Sequence, residues 1–575
     1  MRWSDVAEYV APYAAEFLGT FFVVLTVGCN TITGSKTWMP TSISFAIMVA
    51  MYATAPASGG HLNPALSFSF GLTRKLKWHV VWGYMAAQFL AGLLAAAAAT
   101  GLLEQSVHVG PKEGFDWLDS MVVELVYSSM FCFVALNCMA SLRNNPKFDR
   151  NQFFALAVGF VGIAGGHTTG KISGAFFNPA CTLGFGLTTG SVGQRMWTLI
   201  YAGYQFSGSV VACTLFFMVR PEELAALGIF GEGLSCQRAC GALSLCGSRP
   251  HELLEDRGQE TAAEVGELTQ THAKCQLQQQ DNYRAPYPAR VLAEFIGTYV
   301  IVFTFGLSTV MASSEAGGAQ HNGTVALDSA AEGLLAFSGL PGADSQQLQF
   351  LEQRASSSTV AWATGAAVLC MAYSLANVSG GHFNPAVTLA VMCTGKCGGP
   401  GHRVFGVMES LSFMVAQAGA SIVAALTYVC VHRGRGDFKE VVDFGPKHDY
   451  GWSAVAIGEA IFTLAVALCV LCTTTVRDPR YPKAPSTRSF QFAFAIGMCV
   501  TAGGFALEGI TGGNLNPAVS LGVSTANFIG SGFRVGDRLS RFLSYVIPQM
   551  SGGLLAAAAF RLAHPLEYKE DPLLK

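Results

Sequence analysis

Apolar runs long enough to cross a lipid bilayer recur along the whole chain. One of them, HVVWGYMAAQFLAGLLAAAAATGLL from His79, contains no charged residue. A helix crosses the hydrocarbon core of a bilayer with about 20 apolar residues. Only 13% of the 575 residues are charged, against about 25% in ordinary soluble domains. The sequence therefore predicts a membrane protein.

Twelve such runs form two groups of six, and they predict twelve membrane-spanning helices. The first group lies near 12–29, 41–57, 79–103, 119–141, 152–167 and 196–219. The second group lies near 289–312, 358–378, 403–430, 452–475, 489–507 and 540–563. Residues 220–288 between the groups are polar, which predicts a linker between two units.

The two groups repeat each other, and each group contains a second repeat. AEFLGTFFVVL begins at Ala15 and AEFIGTYVIVF begins at Ala293. An Asn-Pro-Ala triplet occurs twice in each group, as Asn63-Pro64-Ala65, Asn178-Pro179-Ala180, Asn384-Pro385-Ala386 and Asn516-Pro517-Ala518. A glutamate within an apolar run precedes each triplet, in the order Glu16, Glu124, Glu294 and Glu459. Each unit thus has two halves of three spans. Because three is odd, the halves have opposite orientations, as in the inverted repeats of transport proteins.

The Asn-Pro-Ala triplet predicts the start of a helix. Asn is a favoured N-cap residue, and Pro is favoured at the first helical position. The apolar runs that follow are too short to span a bilayer, so we expect half-helices that begin at the midplane. Two opposed half-helices would bring their positive ends together and repel cations and protons. The asparagine amides would donate hydrogen bonds to a passing oxygen. This pattern predicts a pore for neutral solutes.

Basic residues in short loops predict the orientation of the chain. They follow the second and fourth spans of the first unit and the fourth span of the second unit, as Arg74, Lys75, Lys77, Arg143, Lys147, Arg150, Arg477, Arg480, Lys483 and Arg488. We therefore expect both termini and the linker to face the cytoplasm. The loop before the fourth span of the second unit is an exception, since it carries Arg433, Arg435, Lys439 and Lys447. An insert near 312–357 would be extracellular, and it contains a glycosylation sequon at Asn322.

The segments SGGHLNPALS and SGGHFNPAVT resemble the first half-helix loop of the aquaporin family, also called major intrinsic proteins. The resemblance covers about 1–219 and 289–575. It implies an all-α membrane fold of two aquaporin-like units, each with six transmembrane helices and two half-helices in an inverted repeat. The domains would be 1–219, a cytoplasmic linker 220–288, and 289–575 with its insert. The resemblance also implies that the four glutamates are structural and hold the half-helix loops; a proton or ion relay is the alternative.

The chain departs from the family at the outer constriction. Most aquaporins have an arginine after the second Asn-Pro-Ala, where this chain has Cys181 and Val519. By the family spacing, the constriction residues are Ile43, Gly166, Ala175 and Cys181 in the first unit and Thr364, Gly504, Gly513 and Val519 in the second. His167 would take the family's histidine position if the loop carries an insertion. An absent guanidinium removes five donors. Together with the small residues, this predicts pores that are wider than a strict water channel.

The resulting prediction is a passive channel, one pore per unit, for water or small neutral solutes such as glycerol, urea, ammonia or hydrogen peroxide. A twelve-span secondary transporter and a non-conducting structural membrane protein are the alternatives. No cofactor, metal or enzymatic activity is expected, and the net charge of −2 predicts no nucleic-acid partner. By resemblance, a homodimer would place four units around one axis as a pseudo-tetramer. Palmitoylation, metal binding and unmodified thiols are three hypotheses for the cysteines near the linker and the cytoplasmic loop, with unmodified thiols favoured because no histidine or second cysteine pair has a zinc spacing. These cysteines are Cys236, Cys240, Cys246, Cys393 and Cys397.

Overall fold

The computed structural model describes residues 3–33, 37–145, 151–188, 192–227, 285–318, 345–395, 406–432, 445–447, 450–476, 490–530 and 538–568. The sequon at Asn322 and the cysteines Cys236, Cys240, Cys246 and Cys397 lie outside these ranges. So does most of the expected linker.

In the described residues, the first unit has six helices of 16 to 31 residues and two half-helices of 9 and 10 residues. In chain order they are α1 Trp3–Thr33, α2 Met39–Ser58, α3 Pro64–Leu72, α4 Trp78–Leu103, α5 Trp117–Ala135, α6 Phe154–Thr169, α7 Pro179–Thr188 and α8 Val192–Val219. A π-helical turn, Leu136–Ala140, continues α5, and a short helix α9, Pro221–Ala225, follows α8. We call the side on which α1 begins and α8 ends the termini face, and the opposite side the far face.

The second unit repeats this order. Its helices are α10 Tyr287–Gly318, α11 Ser345–Ser379, α12 Pro385–Thr394, α13 Val407–Val431, α14 Trp452–Thr475, α15 Gln491–Leu507, α16 Pro517–Gly530 and α17 Arg538–Ala563. Ten of the described helices are long and apolar enough to cross a bilayer, while the equivalent helices α6 and α15 have 16 and 17 residues. The prediction of an all-α membrane fold of two units, each with six transmembrane helices and two half-helices, is confirmed, with α6 and α15 as the shortest of the twelve. The chain is an integral multi-pass membrane protein.

Both ends of the expected insert at 312–357 are helical. Helix α10 continues to Gly318 and α11 begins at Ser345. The start of the expected linker is likewise part of the first unit, because Arg220 and Glu223 are buried. Hydropathy alone placed both boundaries at the end of the apolar run, whereas the helices and their packing extend beyond it.

The two units pack directly against each other. Helices α10 and α11 contact α6, and α10 also contacts α8. In the most apolar segments of α5, α10 and α11, 78%, 67% and 83% of the residues are buried, against 28–44% in the other seven long spans. Phe153 of the first unit stacks on Tyr373 of the second, with ring centroids 4.3 Å apart. Among the ten long spans of the described residues, α5, α10 and α11 are therefore the ones enclosed by protein on several sides.

A buried arginine joins the units on the termini face. Arg220 is fully buried; its Nε donates to Asn137 Oδ1 at 2.5 Å, and its Nη2 donates to Ser374 O and Asn377 Oδ1 at 2.9 and 2.8 Å. Asn377 Nδ2 in turn donates to Asn144 Oδ1 at 2.5 Å. Burial lowers the pKa of Arg220 to about 10, so the guanidinium stays cationic at neutral pH. Three acceptors then compensate a charge that would otherwise be costly to bury.

Two candidate pores

Each of the four membrane glutamates holds the loop that leads into a half-helix. Glu16 Oε1 accepts from Ser58 Oγ at 2.6 Å and from the N–H of His61 at 2.9 Å. Glu16 Oε2 accepts from the N–H of Leu62 at 2.7 Å and from Gln88 Nε2 at 2.8 Å. Hydrogen bonds to a charged acceptor are the stronger kind, so this set fixes the loop geometry.

The same four donors, a hydroxyl, two backbone N–H groups and a glutamine amide, recur at the other three glutamates. They are Ser173, Phe176, Phe177 and Gln205 for Glu124; Ser379, His382, Phe383 and Gln417 for Glu294; and Thr511, Asn514, Leu515 and Gln549 for Glu459. All four carboxylates are fully buried. The sequence pointed to the glutamates but not to their hydroxyl and glutamine partners.

The asparagines of each unit lie together and bond across the two halves. Asn63 Nδ2 donates to Phe177 O, and Asn178 Nδ2 donates to Leu62 O, both at 3.0 Å. Each asparagine also caps its own half-helix, because Oδ1 accepts from the N–H of Ala65 or Ala180 at 2.9 Å. The N-cap geometry expected from the triplet is therefore present, and one N–H of each amide remains for a solute.

The second unit has the same arrangement. Asn384 Nδ2 donates to Leu515 O at 3.1 Å, and Asn516 Nδ2 donates to Phe383 O at 3.0 Å. The caps on Ala386 and Ala518 are both 2.9 Å long. The positive ends of α12 and α16 thus meet, as those of α3 and α7 do.

The residue before each asparagine has a left-handed backbone, although none of the four is glycine. The φ angles are 53° for Leu62, 49° for Phe177, 47° for Phe383 and 52° for Leu515. This conformation costs roughly 1–2 kcal/mol per residue. It is held from both sides, because a glutamate accepts the N–H and the opposite asparagine donates to the carbonyl. No sequence pattern considered above predicted this strain.

One cavity of about 70 Å³ runs from the far face of the first unit to the asparagines. All four expected constriction residues line it: Ile43, Gly166, Ala175 and Cys181. Thr31 and Met39 lie at its outer end, and Asn63 and Asn178 at its inner end. The rest of the lining is mainly apolar. A water-sized solute can therefore reach the paired amides from the far face.

Two smaller cavities lie along the equivalent path of the second unit. The midplane cavity is about 30 Å³ and is lined by Asn384, Asn516 and Val519. The outer one is about 10 Å³ and is lined by Gly504 and Gly513. Thr364 and Val500 line both cavities, so they form the boundary between them.

The glycines at the expected constrictions do not leave open space on the side where they face a neighbouring helix. A Cβ added at Gly166 would lie 2.6 Å from Pro40 Cβ, and one at Gly504 would lie 2.8 Å from Ala361 Cβ. Each glycine lets two helices approach closely, which small residues commonly do in membranes. Because these glycines lack a side chain, the neighbouring helix lies closer to them. An estimate of the pore width from the size of the constriction residues alone is therefore too large.

His167 contacts the neighbouring helix and is not among the residues that line the first cavity. Its Nε2 lies 2.9 Å from Thr41 Oγ1, which also accepts from Trp362 Nε1 of the second unit at 3.2 Å. His167 therefore contributes to the contact between units at the far face. Lys171 is exposed in the far-face loop, and Glu508 lines the outer cavity of the second unit.

Paired half-helices that meet at capped asparagines, with a cavity leading to them, define a membrane channel fold. A family model described as Major intrinsic protein matches residues 3–165, 112–241 and 281–527, which is more than half of the chain. The chain belongs to the major intrinsic protein family, whose members form channels for water or small solutes.

Several relatives match about one unit. Aquaporin NIP1-3 of Oryza sativa subsp. japonica is 31% identical over 226 residues, covering 37% of this chain and 75% of the relative. Aquaglycerol porin AQY3 of Saccharomyces cerevisiae is 29% identical over 209 residues, covering 32% of this chain and 32% of the relative. The X-ray structure of the aquaglyceroporin from Plasmodium falciparum is 21% identical and covers 38% of this chain and 99% of that one, with a TM-score of 0.34.

Proposed function

We propose that the chain is a passive channel with two separate pores for small neutral solutes. The observation that carries this proposal is the crossed pair of asparagine hydrogen bonds in each unit, which aims two helix N-termini and two amide donors at one point. The helix dipoles disfavour cations at this point, while the amides can donate a hydrogen bond to the oxygen of a neutral solute. Relatives named as aquaporins and as an aquaglycerol porin support water and glycerol as the classes to test.

The hydrogen bonding of the glutamates favours a channel over a secondary transporter. A proton relay needs a carboxylate that exchanges its proton with a neighbouring acceptor. Here each carboxylate already accepts four hydrogen bonds, and one of them comes from the N–H of the residue with the strained backbone. Protonation would remove acceptor capacity from the loop that shapes the pore, so the role we assign to Glu16, Glu124, Glu294 and Glu459 is structural.

We infer that the two pores differ in the solutes that they pass. The continuous cavity of the first unit suits a solute of the size of glycerol, urea, ammonia or hydrogen peroxide. The boundary at Thr364 and Val500 limits the second pore to water. In this proposal Ile43, Gly166, Ala175 and Cys181 select solutes in the first pore, and Thr364, Gly504, Gly513 and Val519 do so in the second.

Stopped-flow measurements on the purified chain in liposomes test these proposals. Cys181→Trp fills the first cavity, so we expect glycerol uptake to be lost and part of the water flux to remain. The matched control is Cys430→Trp, because Cys430 is exposed on α13 and lines neither pore. Wild-type vesicles that pass no water and none of the four other solutes would refute the channel. Flux that stops when the proton gradient is collapsed would favour a transporter.

The orientation that we propose places the termini face in the cytoplasm. The first unit is then 1–219 together with α9, and the second is 289–575 together with the first turn of α10. The basic residues Lys75 and Arg143 lie on this face, since Lys75 Nζ is 2.6 Å from Glu223 Oε2 and Arg143 Nε is 2.9 Å from Glu222 Oε1, just after the end of α8. An excess of such residues is typical of the cytoplasmic side. A protease site introduced before Trp3, tested in sealed vesicles of known orientation, reports the side directly.

We also propose that two copies of the chain form a dimer with four units. Within one chain, α5, α6 and α8 of the first unit contact α10 and α11 of the second. By the repeat, α14 and α15 of the second unit are equivalent to α5 and α6, and α1 and α2 of the first unit are equivalent to α10 and α11. These two faces lie outside the contact within one chain. Both expose large apolar side chains: Leu18, Phe22, Phe45, Val49, Ile457, Ile461, Phe494 and Phe505. A second copy would repeat the existing contact twice and close a ring.

The mass of the chain in mild detergent tests the dimer. We expect two copies, and Val49→Trp together with Phe494→Ala should give single chains, because both positions lie on the proposed contact. Val415→Trp is the control, since Val415 is exposed on α13 outside that contact. A mass of one or four chains for the wild type would contradict this arrangement.

A further inference from the structure

A Gly-Pro-Lys triplet occurs at the same place in both units, in the far-face loop before the fourth long helix. The triplets are Gly110-Pro111-Lys112 and Gly445-Pro446-Lys447. Each lysine stands five positions before the tryptophan that begins α5 or α14, Trp117 or Trp452. This repeat was not among the motifs recognised from the sequence, because the surrounding loops differ in length and composition.

Each lysine is attached to the loop that leads into the second half-helix of its unit. The N–H of Lys112 donates to Ile172 O at 2.9 Å, and the N–H of Lys447 donates to Ile510 O at 3.0 Å. In the second unit, Tyr545 Oη holds both loops, since it donates to Gly445 O at 3.2 Å and to Thr511 O at 2.8 Å. The position of each lysine is therefore set by backbone contacts.

The lysine side chains lie against a glycine that lines the pore. A Cβ at Gly174 would be 3.3 Å from Lys112 Cε, and a Cβ at Gly512 would be 3.7 Å from both Cε and Nζ of Lys447. Gly174 lines the first cavity and Gly512 lines the outer cavity of the second unit. Both glycines have a left-handed backbone, with φ of 93° and 89°. Gly174 and Gly512 therefore lie between the lysine side chains and the cavities. Lys112 Nζ also donates to His108 O at 3.2 Å, which keeps this ammonium in the far-face loop.

We propose that Lys112 and Lys447 are specificity-determining residues of the two pores, supplying at the far-face mouth the positive charge that Cys181 and Val519 do not provide. The charge comes from the loop before the fourth span, and it acts before a solute reaches the asparagines. This inference rests on the proposed channel function and names the residues that would set its charge selectivity.

The field of one ammonium is large enough to matter at this position. A unit charge about 8 Å from a monovalent cation, at an effective dielectric constant of about 30, disfavours that cation about tenfold. Neutral solutes are unaffected to first order. Glu508 lines the outer cavity of the second unit, whereas Gly170 occupies the equivalent place in the first. The carboxylate offsets part of the charge of Lys447, so the first pore should exclude cations more strongly.

Lys112→Met tests the proposal, because methionine keeps the unbranched stem and the backbone bond to Ile172 does not involve the side chain. Full-length chain in liposomes would be assayed for methylammonium entry and for glycerol entry. We expect methylammonium entry to rise about tenfold, with glycerol entry within twofold of the wild type. Lys112→Arg should retain exclusion. Lys171→Met, which removes a charge from an exposed position of the same face, should change entry less than twofold.

Two further measurements test whether the charge of the lysines, and not a change of pore shape, excludes the cation. Because the second pore is limited to water, Lys447→Met is assayed with the water-sized hydronium ion, whose entry should rise by a smaller factor than in Lys112→Met. Lowering the ionic strength from about 0.15 to 0.01 M should strengthen exclusion in the wild type, because the Debye length grows from about 8 to 30 Å, and this dependence should weaken in Lys112→Met. Unchanged methylammonium entry in a Lys112→Met protein that still passes glycerol would overturn the inference. A wild type that passes no neutral solute would instead refute the channel.

Discussion

The substitution Gly92→Ala tests how the second half-helix of the first pore is held. Gly92 lies in α4, and a Cβ at this position would be 2.3 Å from Ala180 O in the first turn of α7. A carbon and a carbonyl oxygen in contact are normally about 3.3 Å apart. The new methyl group must therefore displace α7 by roughly 1 Å. Since Ala180 N–H bonds Asn178 Oδ1, the displacement reaches the pore asparagine.

The size of the effect can be worked out from two opposing contributions. Overpacking of a tight contact costs about 1–3 kcal/mol. Replacing glycine by alanine inside a helix gains up to about 1 kcal/mol. The control Gly203→Ala, in the interior of α8, has nothing within 4 Å of the added Cβ, so it reports the helix gain alone. The difference between the two variants should therefore be about 1–3 kcal/mol, with Gly92→Ala the less stable.

Two assays check this prediction. Thermal unfolding in detergent compares the stabilities of the two variants. Stopped-flow flux in liposomes should show loss of glycerol entry in Gly92→Ala, with the water flux of the second pore retained. Gly553→Ala should instead reduce the water flux of the second pore and leave glycerol entry unchanged, because its Cβ would be 2.4 Å from Ala386 O of the second unit. If Gly92→Ala matched Gly203→Ala in both stability and flux, the contact would not position the half-helix.

Three further predictions follow from named contacts. A mercurial reagent should block the first pore by reacting with Cys181, and Cys181→Ser should resist it. Val519→Cys should make the water flux of the second pore sensitive to the reagent. Block that persists in Cys181→Ser would contradict the placement of Cys181 in the first pore. Glu223→Gln should destabilise the protein by about 1–3 kcal/mol in thermal unfolding, because Glu223 accepts from Lys75 Nζ at 2.6 Å and Leu142 N at 2.7 Å; an unchanged melting temperature would count against it. Burial, and secondarily Lys112, lower the pKa of His108 from its ordinary 6.5. Methylammonium exclusion should therefore stay constant from pH 8 to 7 and strengthen only as the pH falls below 6.5, where His108 gains a positive charge. A His108→Gln protein should show no such change.

The helices and their starts could be predicted from local properties of the chain. A span is recognised by its length and hydropathy, and a half-helix by an asparagine N-cap followed by proline at the first helical position, as at Asn63 and Pro64. The four-fold repeat of the triplet and its preceding glutamate predicted the inverted halves. Each of these signals lies within a few residues or recurs at a regular place, so no tertiary information is needed to read it.

Some boundaries were less well predicted for the same reason. Hydropathy ended the first unit near 219, but Arg220 and Glu223 are buried because their partners lie in other segments. Asn137 is 83 positions from Arg220, and Asn377 is 157 positions away. A charged residue after an apolar run looks like the start of a linker unless those partners are known.

The sequence by itself determined the twelve spans, the four capped half-helices and the glutamates that precede them, because hydropathy and capping act locally. Only the tertiary structure decided what meets in each pore. The bond from Asn63 to Phe177 O joins residues 114 positions apart. The space beside Gly166 is occupied by the neighbouring helix α2, at Pro40. Lys112 and Lys447 reach the pore mouths only because their loops fold onto Ile172 and Ile510. Contacts of this kind depend on how helices distant in sequence pack, which no local pattern records.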